Sequence, residues 1–225
     1  SGEASAAKVG ADLAFSGGVA MIMKGHVHSD TFMRPLLAKE GGIRGSGRLS
    51  HVFYMTVPAS NQSIILTDCA LNVAPNIRTR IAIVENAVTL AHKLGNAEPR
   101  VALLAASESV SEAMPVTQEC EQIANHFSTS ELSAEVFGPL AFDNIVSTDA
   151  AKMKGIDHPV AGGADVIVVP TIEAGNSLFK MMVYFMSACA AGIVLGGKVP
   201  VLLTSRADPP AARLASAALG VISVH

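Results

Sequence analysis

The chain has 225 residues, 16 Lys and Arg against 19 Asp and Glu, a formal net charge of -3, and 50% hydrophobic residues. That suits one compact domain or two small lobes, and a charged content of 16%, against about 25% in ordinary soluble domains, points to surface buried in self-association. A slight acid excess, 4% aromatics and no Trp leave neither an electrostatic footprint nor a stacking platform, so nucleic acid is set aside as a partner.

Cys69, Cys120 and Cys189 show no short spacing, so neither a disulfide framework nor a zinc pattern is written here, and a reducing cytoplasm is the expected location. The opening SGEASAAKVGADLAFSGG has no basic or apolar region of a signal peptide. Met181–Gly197 is uncharged and about as long as the shortest spanning helix, at roughly 17 residues. Gly192, Gly196, Gly197 and Pro200 divide it into a helix followed by a buried strand, so no membrane span is expected.

Apolar runs alternate with helical patterns, which predicts βαβ units and a mostly parallel sheet. In chain order the strands are Ala20–Met23, Val52–Val57, Ser63–Leu66, Val101–Ala105, Asp165–Val169 and Val199–Thr204. Gly41–Ser50 reads as loop. Ile77–Leu94 is the clearest helix, with Ile81, Val84, Val88 and Ala91 on one face and Gly95 placed to close it. A further helix starts after Asp208, whose carboxylate precedes two prolines. Ligands in open α/β sheets bind beyond the carboxyl ends of strands. Those ends carry Lys24 to Ser29, Thr67-Asp68, Ser107-Glu108-Ser109, Pro170 to Asn176 and Ser205 to Asp208, and are expected to share one face.

TSRADPP puts a hydroxyl and a guanidinium before a helix start, where free N–H groups and the helix dipole favour an anion. Arg206 can hold a phosphate bidentately; capping by Ser205 or Asp208 is the competing reading. Lys24 and Gly25 offer positive charge and close backbone approach to a phosphate. His26 and His28 read as a metal face or as solvated residues, and His51 as a base or a hydrogen-bonded structural residue. Glu173, Gly175 and Asn176 form a strand-to-helix turn. Neither GxxxxGK[ST], GxGxxG nor GxSxG occurs, which removes nucleotide hydrolysis and the hydrolase elbow. Cys69 and Cys189 read as inert core thiols.

MKGHVHSDTFMR, RLSHVFYM, LTDCALNVAPN, GPLAFDN, AGGADVIVVPTIEAGN and VPVLLTSRAD, in this order, resemble the phosphate acetyl/butyryl transferases. The likeness extends to the phosphate butyryltransferase-like branch and to the transacylase portion fused behind an enoyl-CoA hydratase-like domain, and it covers nearly all of residues 1–225 as one transferase domain. It implies a fold like the isocitrate and isopropylmalate dehydrogenases, with two interleaved α/β lobes, a central cleft and the amino-terminal part of one lobe missing. It also implies a homodimer and reversible transfer of a short acyl group between coenzyme A and phosphate, with a Ser-Arg pair matched by Ser205 and Arg206 and a helping aspartate. Asp208 takes that last role, with Asp143 and Glu173 as rivals, because Ala212 stands where acetyl-type members place the aspartate. Lys24, Gly25, His26, Asp143, Glu173, Gly175 and Asn176 would line the substrates. No metal, nicotinamide or other cofactor is required. The alternatives are, of another class, a non-catalytic binding module for coenzyme A or acyl phosphate or a truncated relative and, behind it, a metal-dependent decarboxylating dehydrogenase of the same fold.

Overall fold

A computed structural model describes residues 2–45, 47–60, 62–204 and 208–224. Its strands are β1 (Ile22–Met23), β2 (Ser50–Val57), β3 (Gln62–Thr67), β4 (Arg100–Leu104), β5 (Glu135–Leu140), β6 (Val166–Val168), β7 (Cys189–Leu195) and β8 (Val201–Leu202). The helices are α1 (Glu3–Phe15), α2 (Ser29–Leu36), α3 (Ile77–Lys93), α4 (Pro115–Ser128), α5 (Phe142–Val146), α6 (Thr148–Met153), α7 (Ile172–Met186) and α8 (Pro210–Val224).

α3 follows the expected pattern closely. The Asn76 side chain accepts from the Thr79 N–H at its start, Val84, Val88 and Ala91 are buried, and Gly95 takes φ 93 just past its end. The uncharged Met181–Gly197 stretch splits as foreseen, with α7 ending at a left-handed Ser187 and β7 following. No helix among the described residues is long and apolar enough to cross a membrane. α8 begins at Pro210, so Asp208 lies two residues before its first turn.

The eight strands form one continuous sheet in the order β1-β8-β7-β2-β3-β6-β4-β5. It is mixed, and the expectation of a mostly parallel sheet is corrected: β2 is antiparallel to both neighbours, β3 and β7, and β7 is antiparallel to β8. Parallel pairing is confined to β1 with β8 and to the β3, β6, β4, β5 half. The carboxyl ends of β1 and β8 therefore point opposite to those of β3, β4 and β6, and the five strand ends do not share one edge.

Alternation along the strands builds two covered faces. α3, α4 and α8 cover one, where Ile83, Ile123 and Leu219 join Val52, Val101 and Ile193. On the other, α5 and α7 cover Phe53, Met55 and Ile167, while α1 and α2 cover Leu49, Val194 and Val201. The seam between those two helix pairs falls at His51 of β2 and Gly192 of β7. β8 starts opposite Val194 and runs back along β7, so its carboxyl end returns to the level of that seam.

Candidate active site

Three groups of polar side chains surround the seam and the neighbouring strand ends. The first stands where β1 and β8 stop. Lys24 is buried with its Nζ donating to the Val27 carbonyl at 3.1 Å, and its own carbonyl accepts from Thr204 Oγ1 at 3.0 Å. The MKG turn is thereby joined to the residue directly before Ser205. Ser205, Arg206 and Ala207 lie outside the described residues. Gly25 and His26 are exposed on the turn after Lys24, and His28 is engaged by Glu3, whose carboxylate accepts from the His28 backbone N–H at 3.1 Å and lies 3.0 Å from its ring Nδ1. Among the described residues no three His, Cys, Asp or Glu side chains form a group able to hold a metal ion.

The second group is centred on Asp68, at the carboxyl end of β3. Its buried carboxylate accepts from the N–H groups of His51, Ala70, Leu71 and Asn72 and from Asn72 Nδ2, at 2.6 to 3.3 Å. Asn72 also accepts from Arg48 Nε at 3.1 Å. Such an array makes a buried carboxylate tenable because charge-assisted bonds replace its hydration. Gly175 packs α7 onto this loop: a Cβ there would sit 2.7 Å from the Asp68 carbonyl oxygen and 3.0 Å from Cys69 Cα and Sγ. Glycine is required at this close approach. Glu173 is exposed in the first turn of α7, and hydrogen bonds from its own backbone and from the Thr171 side chain hold its carboxyl below the usual range. Asn176 is half-buried one residue past Gly175.

His51 matches neither expectation made of it. The imidazole is buried, neither ring nitrogen has a partner, and burial pushes its pKa down to about 4 against the pull of Asp68. It packs edge-on against Phe53 at 4.4 Å, and Phe53 stacks in turn on Phe179 of α7 at 4.0 Å. The Cys69 thiol is pushed well up by burial and then by the Asp68 charge, which suits an inert core residue; Cys189 is half-buried.

The third group lies beyond β4 and β5. Lys154 bridges Glu108 at 3.2 Å and Asp143 at 3.5 Å, and buried Asn144 donates to Glu108 at 3.3 Å. Of the residues expected to bind substrate, Lys24, Gly25 and His26 thus stand together, Glu173, Gly175 and Asn176 stand on the Asp68 loop, and Asp143 stands apart with Lys154. Asp68 was expected at a strand end but with no role assigned to it, and Asn72 and Lys154 were not singled out. The available signal was the LTDCALN motif, in which an aspartate precedes several free backbone donors.

Residues 4–221 match the model of the phosphate acetyl/butaryl transferase family, and the chain belongs to that family. It is similar to a phosphate acetyltransferase of Rhizobium meliloti, 43% identical over 90% of this chain and 64% of the relative, so it spans less than two thirds of that protein. A probable phosphate butyryltransferase of Bacillus subtilis is 40% identical over 89% of this chain and 68% of its own length. A crystal structure of a branched-chain phosphotransacylase from Enterococcus faecalis superposes with a TM-score of 0.91 and 38% identity, over 100% of this chain and 81% of that one. These matches correct the fold assignment. The architecture is the mixed-sheet fold of the phosphotransacylases, with antiparallel β2 at its centre, and the isocitrate/isopropylmalate dehydrogenase-like assignment implied by the motifs is replaced by it.

Proposed function

We propose that the chain catalyses reversible transfer of a short acyl group between coenzyme A and inorganic phosphate. The observation that carries this reading is the Thr204–Lys24 hydrogen bond, which ties the backbone of buried Lys24 to the strand end leading into Ser205 and Arg206. The names of the relatives, phosphate acetyltransferase and probable phosphate butyryltransferase, support it. In one direction a phosphate oxygen attacks the thioester carbonyl carbon, the C–S bond breaks, and coenzyme A leaves as a thiolate that takes up a proton. In the other, the thiol loses its proton and the thiolate attacks the acyl phosphate carbonyl, expelling phosphate. A thiol with a pKa of about 8.5 is helped by a placed carboxylate.

Arg206 holds the phosphate, Lys24 adds charge to it, and Ser205 donates to the developing oxyanion. Asp208 is the base. Asp143 is tied up by Lys154, Glu173 is engaged by its own backbone and by the Thr171 side chain, and Ala212 is buried in α8. Gly25, His26, Gly175 and Asn176 line the substrates. Coenzyme A and phosphate enter as substrates, and the scheme invokes no cofactor. The exposed Met181, Tyr184 and Phe185 of α7 support a homodimer, and the reading places the enzyme in the cytoplasm. Light scattering that gives a monomer at micromolar concentration would remove the dimer. The activity is tested by thiol release from acetyl-, propionyl-, butyryl- and isobutyryl-CoA, with and without phosphate, beside Arg206→Ala. Release that needs phosphate and collapses in the variant supports the transferase; no release from any thioester overturns it.

A further inference from the structure

A cavity of about 340 Å³ lies at the opposite end of β1 and β8 from Lys24 and Thr204. Ala20 and Pro200, shortly before those strands begin, line it together with the last turns of α3 and α8. It is at the small end of the roughly 300–1,000 Å³ usual for ligand sites. Lys93 and Lys198 line it beside Leu90, Leu195 and Val224, and no carboxylate does. Neither lysine forms an ion pair with a described carboxylate. Lys93 Nζ donates to the Ser223 carbonyl, and Lys198 Nζ stands 3.9 Å above the Phe15 ring, so neutral partners place both ammonium groups. The carbonyl ends of α3 and α8 offset roughly half a charge each, which leaves the pair net positive.

The other polar side chains of the wall are spent. Thr89 Oγ1 donates to the Glu85 carbonyl at 2.8 Å and Ser223 Oγ to the Gly220 carbonyl at 2.7 Å. Asn86 Nδ2 donates to the Arg48 carbonyl and to Ser50 Oγ, both at 2.8 Å. The two ammonium groups are therefore the side-chain donors left for a ligand, among aliphatic neighbours. That combination suits one carboxylate head on a short aliphatic body. From this wall three hydrogen bonds run in series to the Asp68 loop: Asn86 to the Arg48 carbonyl, Arg48 Nε to Asn72 Oδ1 at 3.1 Å, and Asn72 Nδ2 to Asp68 at 2.6 Å. Gly196, also on the wall, packs so closely that a Cβ there would lie 2.1 Å from the same Arg48 carbonyl. A ligand that touches Asn86 and Gly196 restrains Arg48 and, through it, the loop.

We propose that this cavity binds a short-chain aliphatic carboxylate between Lys93 and Lys198, and that the bound ligand tightens the Asp68 loop through Arg48. The test is calorimetric titration of the full chain with butyrate and isovalerate, beside 1-butanol, butylamine and formate, and needs no turnover. Both acids are expected to saturate with a dissociation constant on the order of 1 mM. Formate, which lacks the body, binds at least about tenfold more weakly, and the alcohol and the amine give no saturable heat. A Lys93→Gln, Lys198→Gln double variant raises the constant about tenfold, the worth of two partly exposed ion pairs. Thr89→Phe fills the cavity with both lysines in place and abolishes binding; it decides alone if the double variant melts early. Amide hydrogen exchange at residues 70–72 slows severalfold in the parent at about ten times the dissociation constant. Butyrate binding of equal strength in the parent and in Thr89→Phe overturns the site, as does butylamine binding as well as butyrate. Saturable butyrate binding with unchanged exchange at residues 70–72 overturns the link to the Asp68 loop and leaves the site standing.

Discussion

Lowering the pH from 7 to 4 is expected to destabilise the fold through His51 alone by about 3 kcal/mol. Burial takes the imidazole from its ordinary value of 6.5 to about 4, so between those values the unfolded chain binds a proton that the folded chain refuses. Stability therefore rises with pH through this window, is fully present above about pH 6.5, and is lost as the pH falls toward 4. A difference of about 2.5 units at about 1.36 kcal/mol each sets the size of the effect. The group is fully enclosed, with no ring partner and with Phe53 against it, so solvent screening does not reduce the figure. The assay is urea unfolding of the chain and of His51→Leu at steps between pH 7 and pH 4. Titration of carboxylates remote from the ring acts on both proteins alike and cancels in the difference, which leaves the ring and its interaction with Asp68. The parent is expected to lose about 3 kcal/mol more than the variant by pH 4, while at pH 7 the variant is at least as stable, since it removes two unpartnered polar atoms. Parallel curves for the two proteins would refute the reasoning and mean that the ring has a hydrogen-bond partner.

Two further substitutions probe the frame of the site. Gly175→Ala forces a methyl within 2.7 Å of the Asp68 carbonyl, between two backbone segments that cannot both yield, and is expected to cost about 1–3 kcal/mol in thermal unfolding; an unchanged melting temperature would show that α7 does not rest on the loop. Ser216 accepts from the Gly192 N–H at 3.0 Å and donates to the Ala212 carbonyl at 2.9 Å, so Ser216→Ala leaves a buried N–H unpaired at the seam and is expected to cost about 1–3 kcal/mol by urea midpoint. A loss no larger than that of an exposed serine such as Ser109 would contradict it.

α3 and β2 were legible in the sequence because periodicity and apolar runs report burial directly. The helix-then-strand order of Met181–Gly197 was read from its glycines and Pro200, although the change itself falls at Ser187, with Gly192 inside β7. Strand direction was not, since an apolar run reads the same either way. The clue to antiparallel pairing was the connection between Val57 and Gln62, far too short for the crossover that a parallel pair needs. β5 escaped notice because Gly138 and Pro139 interrupt its apolar run, and it lies at the sheet edge, where proline is tolerated. The pairing of Lys24 with the strand before Ser205 could be expected only from the family likeness, because the Thr204–Lys24 bond joins residues 180 positions apart. His51 was ambiguous for a related reason: its properties come from Phe53, Gly192 and α7, which close over it only in the fold.

The most direct test of the account is phosphorus NMR of the chain incubated with butyryl-CoA and inorganic phosphate, with free thiol measured in the same sample. Acyl transfer to phosphate predicts an acyl phosphate resonance that grows in step with free thiol and is consumed when coenzyme A is added back. Thiol release without an acyl phosphate, at the same rate with and without phosphate, would mean that water is the acceptor and would contradict the account.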